Sequence, residues 1–212
     1  MTVLRTTTMA SGPARDWRMT PRTAPAFVVV AATFIFNPQS IARAAETNVC
    51  EREMTVAAKR YDVPLAVLYA VGMTETGRRG SLQPFALNLQ GPSFFAANLS
   101  DALRRFEQAR KSGAKLIDVG CMQINHYFHA SQFHSLEAMF DPHENVDYAA
   151  RFLKELRARE GSWTLAAARY HAGPANDPAQ KQYVCQVITN MVGSGFGAWT
   201  AYARAFCTEP AR

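Results

Sequence analysis

From residue 48 onward the chain repeats apolar positions at the three- and four-residue spacing of amphipathic helices. The segments 48–61 (NVCEREMTVAAKRY), 62–77 (DVPLAVLYAVGMTETG), 100–113 (SDALRRFEQARKSG) and 142–161 (PHENVDYAARFLKELRAREG) each predict a helix. So do 162–173 (SWTLAAARYHAG), 178–193 (PAQKQYVCQVITNMVG) and 196–207 (FGAWTAYARAFC). Their ends carry start and stop signals: Asn48 with Glu51 three residues on, Pro64 in a first turn, and Gly77 and Gly113 as terminators. Segment 83–95 (QPFALNLQGPSFF) breaks the pattern, and its turn residues and short alternation predict a small hairpin or ordered loop. No internal repeat, low-complexity tract or linker interrupts the series. The expected fold is mainly α, an α+β arrangement of helices around a central buried one.

That central helix is 62–77. At about 100° per residue, Glu75 points between Leu68 and Val71, while Ala66, Val67, Tyr69, Ala70 and Met73 fill the rest of the wheel. A carboxyl group on a buried face loses hydration, so its ionised form is disfavoured and its pKa rises. An acid still protonated near neutral pH is what the cleavage of a glycosidic bond requires. The simpler reading is a glutamate at a frayed helix end, in solvent or paired with Arg78 or Arg79.

The first 44 residues read differently. Arg5, Arg15, Arg18 and Arg22 precede the 13-residue apolar run APAFVVVAATFIF, and Ala42-Arg43-Ala44 follows as a small-x-small cleavage site. The run is short against the ~20 residues of a membrane span, so 1–44 is expected to be a signal peptide and 45–212 the catalytic domain. An uncleaved anchor is the alternative, and Met19 offers a second start. Five of the 23 Lys and Arg and one of the 17 Asp and Glu fall in that segment, leaving a net charge of +2 for the rest. The basic pI therefore argues for no nucleic-acid partner. Cys50, Cys121, Cys185 and Cys207 all follow the leader; at a spacing that suits no zinc site, they predict two disulfides in an exported, periplasmic protein.

Two segments follow Glu75-Thr76-Gly77 in order: DVGCMQIN at 118–125 and AARYHAGP at 167–174. Over roughly 50–192 the chain resembles the lytic transglycosylases with a soluble-lytic-transglycosylase catalytic domain, of the lysozyme-like superfamily. That family carries a Glu-Ser/Thr, a Gly-Leu-Met-Gln-Ile and an Ala-Tyr-Asn-Ala-Gly segment. Here Cys121 replaces the leucine and His171 the asparagine. The resemblance implies that Glu75 is the single catalytic acid and base, cleaving the bond between N-acetylmuramic acid and N-acetylglucosamine to leave 1,6-anhydro ends. It implies sugar contacts from Gln123, Asn125, Tyr170 and His171 and backbone donors around Met122, with Asn88 a weaker candidate. It also implies the pairing Cys50–Cys121, leaving Cys185 with Cys207; otherwise Cys121 is a small buried residue.

Tyr183 lies on a helix that often closes the cleft in that family, and core packing explains it equally well. No second carboxylate stands out: Asp118 reads as the N-cap of a short helix through 121–125, and Asp141 as the cap of the next. His126, His129, His134 and His143 lack a ligand spacing, so no metal or cofactor is expected. The resemblance implies the peptidoglycan glycan strand as partner, with the protein expected to act as a monomer and a secretion, pilus or flagellar assembly as a further partner. A muramidase-type hydrolase on the same fold and a cell-wall-binding accessory protein are the competing readings.

Overall fold

The computed structural model describes residues 48–91, 93–172 and 177–209, all within the unit Arg43–Arg212. The expected signal segment lies outside the described residues. Helix α1 (Val49–Tyr61) is capped by Asn48, whose side chain accepts from Cys50 N at 2.9 Å. Glu51 does not close the capping box; its carboxylate accepts instead from the Tyr69 hydroxyl at 3.3 Å. Helix α2 (Leu65–Thr76) starts after Pro64 and ends at Gly77, whose φ of −58° is not the left-handed value of a glycine stop. Leu68, Ala70, Val71, Gly72 and Thr76 on this helix are buried, so α2 is the central helix that its composition predicted.

The hairpin at 83–95 forms as expected. Strand β1 (Ala86–Leu89) pairs antiparallel with β2 (Ser93–Phe95), Leu87 opposite Phe94. After α3 (Leu99–Lys111), two unforeseen strands complete the sheet: β3 (Ile117–Val119) and β4 (Ile124–Asn125), in the order β2-β1-β3-β4. The expected short helix over 121–125, with Asp118 as its cap, is therefore corrected to a turn between strands. Gly120 and Gln123 both adopt left-handed φ values, +81° and +47°, so the stretch that they bound is a turn and Gln123 cannot sit inside a right-handed helix. The alternation is that of a strand: Ile117, Val119 and Ile124 are buried, while Asp118 and Asn125 sit opposite one another in the ladder.

The remaining helices are α4 (His126–His129), α5 (Leu136–Phe140), α6 (Pro142–Glu160), α7 (Trp163–His171), α8 (Asp177–Gly193) and α9 (Ala201–Thr208). Asn125 caps α4, Asp141 caps α6 as its sequence predicted, and Thr200 caps α9. The last helix is shorter than the segment 196–207 suggested, because the Thr200 hydroxyl takes the Ala203 N–H and fixes the start there. Helix α1 packs on α6, α2 on α8, and α7 on both α6 and α8. Met54, Leu68, Val71, Leu82, Phe140 and Leu153 fill the space between them. Among the described residues no helix is long and apolar enough to cross a membrane.

Two disulfides fasten this arrangement. Cys50–Cys121 joins the start of α1 to the β3–β4 turn, and Cys185–Cys207 joins α8 to α9. Both follow the pairing that the resemblance implied.

Candidate active site

Between the sheet and the end of α2 lies a cleft of about 590 Å³. Glu75, Asn88, Asp118, Gln123, Asn125, Tyr170 and His171 line it, with Phe128, His129, Phe152 and Arg169 among the rest. Several elements bring them there: Glu75 comes from the last turn of α2, Asn88 and Asp118 from neighbouring strands, and Tyr170 and His171 from the end of α7.

The Glu75 side chain is 14% exposed. Burial pushes its carboxyl up to about 8, the nearby charge of Asp118 adds to the rise, and a hydrogen bond from Tyr183 opposes it. Tyr183, on α8, donates its hydroxyl to Glu75 Oε1 at 2.6 Å. The His171 ring stacks on Tyr183, centroids 4.3 Å apart and planes 7° from parallel, with its Nδ1 3.9 Å from the same carboxylate oxygen. Burial lowers the His171 pKa, so the imidazole stays neutral beside the acid at pH 7. The solvent-exposed alternative for Glu75, paired with Arg78 or Arg79, does not occur.

Residues expected to meet sugar divide into two groups. Asn88, Gln123, Asn125, Tyr170 and His171 all reach the cleft. Several of them are already engaged: Asn88 Oδ1 accepts from Gly91 N, and Asn125 Nδ2 donates to Asp118 Oδ1 at 2.6 Å. The Gln123 amide donates to the carbonyls of Ala86 and Gly120 at 3.2 and 3.1 Å, which leaves its own oxygen as the free end. Met122 departs from expectation. Its side chain is fully buried, its N–H donates to Asn145 Oδ1 at 2.9 Å, and its carbonyl accepts the Tyr170 hydroxyl at 2.7 Å. The backbone donor expected there is turned inward, and Tyr170 grips this segment rather than the acid.

Two residues were underweighted by the sequence. Asp118 shares the cleft with Glu75 because strand alternation turns it there, opposite Asn88 and Asn125. Burial raises its pKa, while the hydrogen bond from Asn125 holds it down. Tyr183 had no local signal, since its role depends on where α8 docks on α2. That docking is reinforced by Asn190, which donates to the Thr74 hydroxyl at 2.9 Å.

The cleft's floor is fixed from below. Thr76 donates its hydroxyl to the Cys121 carbonyl at 2.9 Å, tying α2 to the turn. Asn145, fully buried on α6, bonds Met122 N, Val119 O and Met139 O. Gly120 is required at this point: a Cβ would sit 2.3 Å from the Asn145 amide, and φ is +81°. Among the described residues no group of three or more His, Cys, Asp or Glu could hold a metal ion.

One buried acid, held by a tyrosine from a distant helix and facing amides across a polar cleft, suits proton delivery to a glycosidic oxygen. Neither a curated protein nor a solved structure matches the chain. A family model described as "Transglycosylase SLT domain" matches residues 53–190, which is more than half of the sequence and spans every lining residue named above. The chain thus belongs to the transglycosylase SLT domain family, and its mainly helical body with a small four-stranded sheet is that family's lysozyme-like fold.

Proposed function

We propose that this protein is an exported lytic transglycosylase that cuts peptidoglycan between N-acetylmuramic acid and N-acetylglucosamine, with Glu75 as the general acid and then the base. The observation that carries the reading is the burial of Glu75, which keeps its carboxyl protonated up to about pH 8. In the first step Glu75 gives its proton to the bridging oxygen as the C1–O bond breaks. The substrate's own N-acetyl group supports the positive charge at C1. Glu75, now ionised, takes the proton of the C6 hydroxyl, whose oxygen closes on C1 to give the 1,6-anhydro end.

In this mechanism the Tyr183 hydroxyl steadies the carboxylate between the two steps, while the Gln123 oxygen and His171 are the groups free to meet sugar polar atoms. Residues 1–44 are the export signal, with cleavage after Ala44 delivering the rest to the periplasm, and the two disulfides fit that destination.

A second reading, water-dependent cleavage by a muramidase, is favoured by one observation: Asp118 presents a second carboxyl group to the same cleft. Digestion of purified sacculi followed by mass spectrometry of the muropeptides separates the two. Anhydro ends support the transglycosylase, and reducing ends support the hydrolase. Glu75→Gln is expected to lower release by at least about a thousandfold, in the range of lost acid catalysis and charge stabilisation together. Undiminished release from that variant removes Glu75 from the chemistry.

A further inference from the structure

Arg169 lines the cleft immediately before Tyr170 on α7, at a position where the family's Ala-Tyr-Asn-Ala-Gly segment has alanine. Of the described residues lining the cleft, it alone carries a fixed positive charge. His129 and His171 line the cleft too, but burial lowers the pKa of both, so their rings are neutral at pH 7.

The charge on Arg169 is only partly answered. Its Nε donates to Glu160 Oε2 at 3.4 Å, which is long for such a bond. The other oxygen of that carboxylate accepts from Arg159 Nε at 3.0 Å. Two guanidinium groups thus share one carboxylate, and these three groups keep one positive charge in surplus. Arg169 Nη1 is shut away from solvent, and among the described residues it is the one buried side-chain nitrogen or oxygen with no hydrogen-bond partner. A buried charged donor left unpaired is costly, and the partner that a guanidinium fork fits best is a carboxylate taking two parallel N–H bonds. The acids of the cleft are engaged elsewhere: Glu75 holds the Tyr183 hydroxyl, and Asp118 holds the Asn125 amide.

We infer that Arg169 is a carboxylate-binding subsite on the cleft wall, trading its loose hold on Glu160 for an acidic substituent of the glycan strand. The side chain is 21% exposed, so a small swing off Glu160 offers the whole fork to a ligand lying in the cleft. The inference rests on the saccharide reading of the cleft given above and adds charge to what the cleft recognises. N-acetylglucosamine has no ionised group, whereas N-acetylmuramic acid carries a lactyl group that ends in a carboxyl. On a strand stripped of peptide that carboxyl is free. On a strand with peptide attached it is an amide, and the peptide supplies carboxylates of its own. Arg169 therefore turns the cleft toward strands that contain muramic acid and away from uncharged chains of N-acetylglucosamine.

The test titrates four tetrasaccharides calorimetrically into the Glu75→Gln protein, so that no turnover occurs. One is the N-acetylglucosamine tetramer. The other three alternate N-acetylglucosamine with N-acetylmuramic acid and carry the lactyl group free, as its methyl amide, or joined to L-alanyl-D-glutamate. Adding Arg169→Gln is expected to weaken binding of carboxylate-bearing tetramers by about tenfold while the two uncharged ones change little. A loss confined to the free lactyl form names the stripped strand as the ligand, and one confined to the peptide-bearing form names the peptide; either supports the subsite. Arg169→Lys keeps the charge without the fork, so it should lose less, again on carboxylates alone; it carries the test if Arg169→Gln does not fold. Equal loss for all four ligands is the mark of a structural role through Glu160 and overturns the proposal, as does no loss for any. If Glu75→Gln still releases muropeptides while the carboxylate preference holds, the catalytic reading fails and the subsite stands. If Glu75→Gln abolishes release and Arg169→Gln changes nothing, only the subsite fails.

Discussion

At the scale of single residues, the site turns on the opposing influences at Glu75. Its carboxyl is raised by burial and by Asp118, and lowered by the Tyr183 hydrogen bond. Activity that needs the protonated acid is expected to fall above about pH 8. Tyr183→Phe removes a donor that favours the ionised form, so the alkaline limb of kcat/KM should move to higher pH while kcat drops. Asp118→Asn removes a repelling charge yet keeps an oxygen for Asn125, so the limb should move to lower pH. Two pH–rate profiles check both signs. Stability follows the same logic. Between pH 4.5 and about 8 the unfolded chain ionises Glu75 and the folded one does not, so the wild type loses stability as pH rises through that window. Glu75→Gln cannot ionise. It should be more stable than the wild type at pH 8 by at least about 1 kcal/mol and equal to it near pH 4, as thermal unfolding at both pH values would read.

Glu75 was legible in part. The apolar wheel of α2 put it on a face to be buried, while the helix end just after it left a solvent-facing alternative open. The two downstream segments that carry the resemblance decided between them. Tyr183 was legible only by resemblance, as a residue of a cleft-closing helix or of the core. Its contact with Glu75 was not, since that partner lies 108 residues away and helix α8 gives no hint of which face meets α2.

At the scale of elements, the helices were readable from periodicity and caps, and the hairpin from its turn residues. The strands β3 and β4 were not: three and two residues are too few for a period to declare itself, and Asp118 before a glycine imitates a cap. Its misreading also hid it from the cleft. Asn145 was hidden for a different reason, as a polar residue among the many of an amphipathic helix normally faces water. It instead holds three backbone groups of the strand turn and α5. Asn145→Ala should leave those groups buried and unpaired, costing at least about 3 kcal/mol, and should loosen the Met122–Gln123 segment. Urea unfolding measures the first effect, and faster hydrogen exchange at Met122 the second.

At the scale of the whole molecule, the two disulfides divide the work unequally. Cys50–Cys121 spans a sequence separation of 71 and Cys185–Cys207 one of 22. Longer closed loops restrict the unfolded chain more, about 4 kcal/mol for the first against about 3 for the second. Replacing both cysteines of the first pair by serine should therefore lower the Tm more than the same change in the second. Calorimetry of the two double variants decides it. The second pair has a functional consequence of its own, because α8 also carries Tyr183, two residues before Cys185. Loss of that pair should thus shift the pH profile toward that of Tyr183→Phe.

The contact between Glu75 and Tyr183 joins an early helix to a late one. A chain emerging N-terminus first presents α2 before α8 has appeared, so for that interval its acid lacks the Tyr183 clamp. On the proposed reading, an exported chain would complete its acid–tyrosine pair only once α8 had followed α2 across the membrane. A partly delivered copy would then be blunt toward the wall that the proposal makes its substrate.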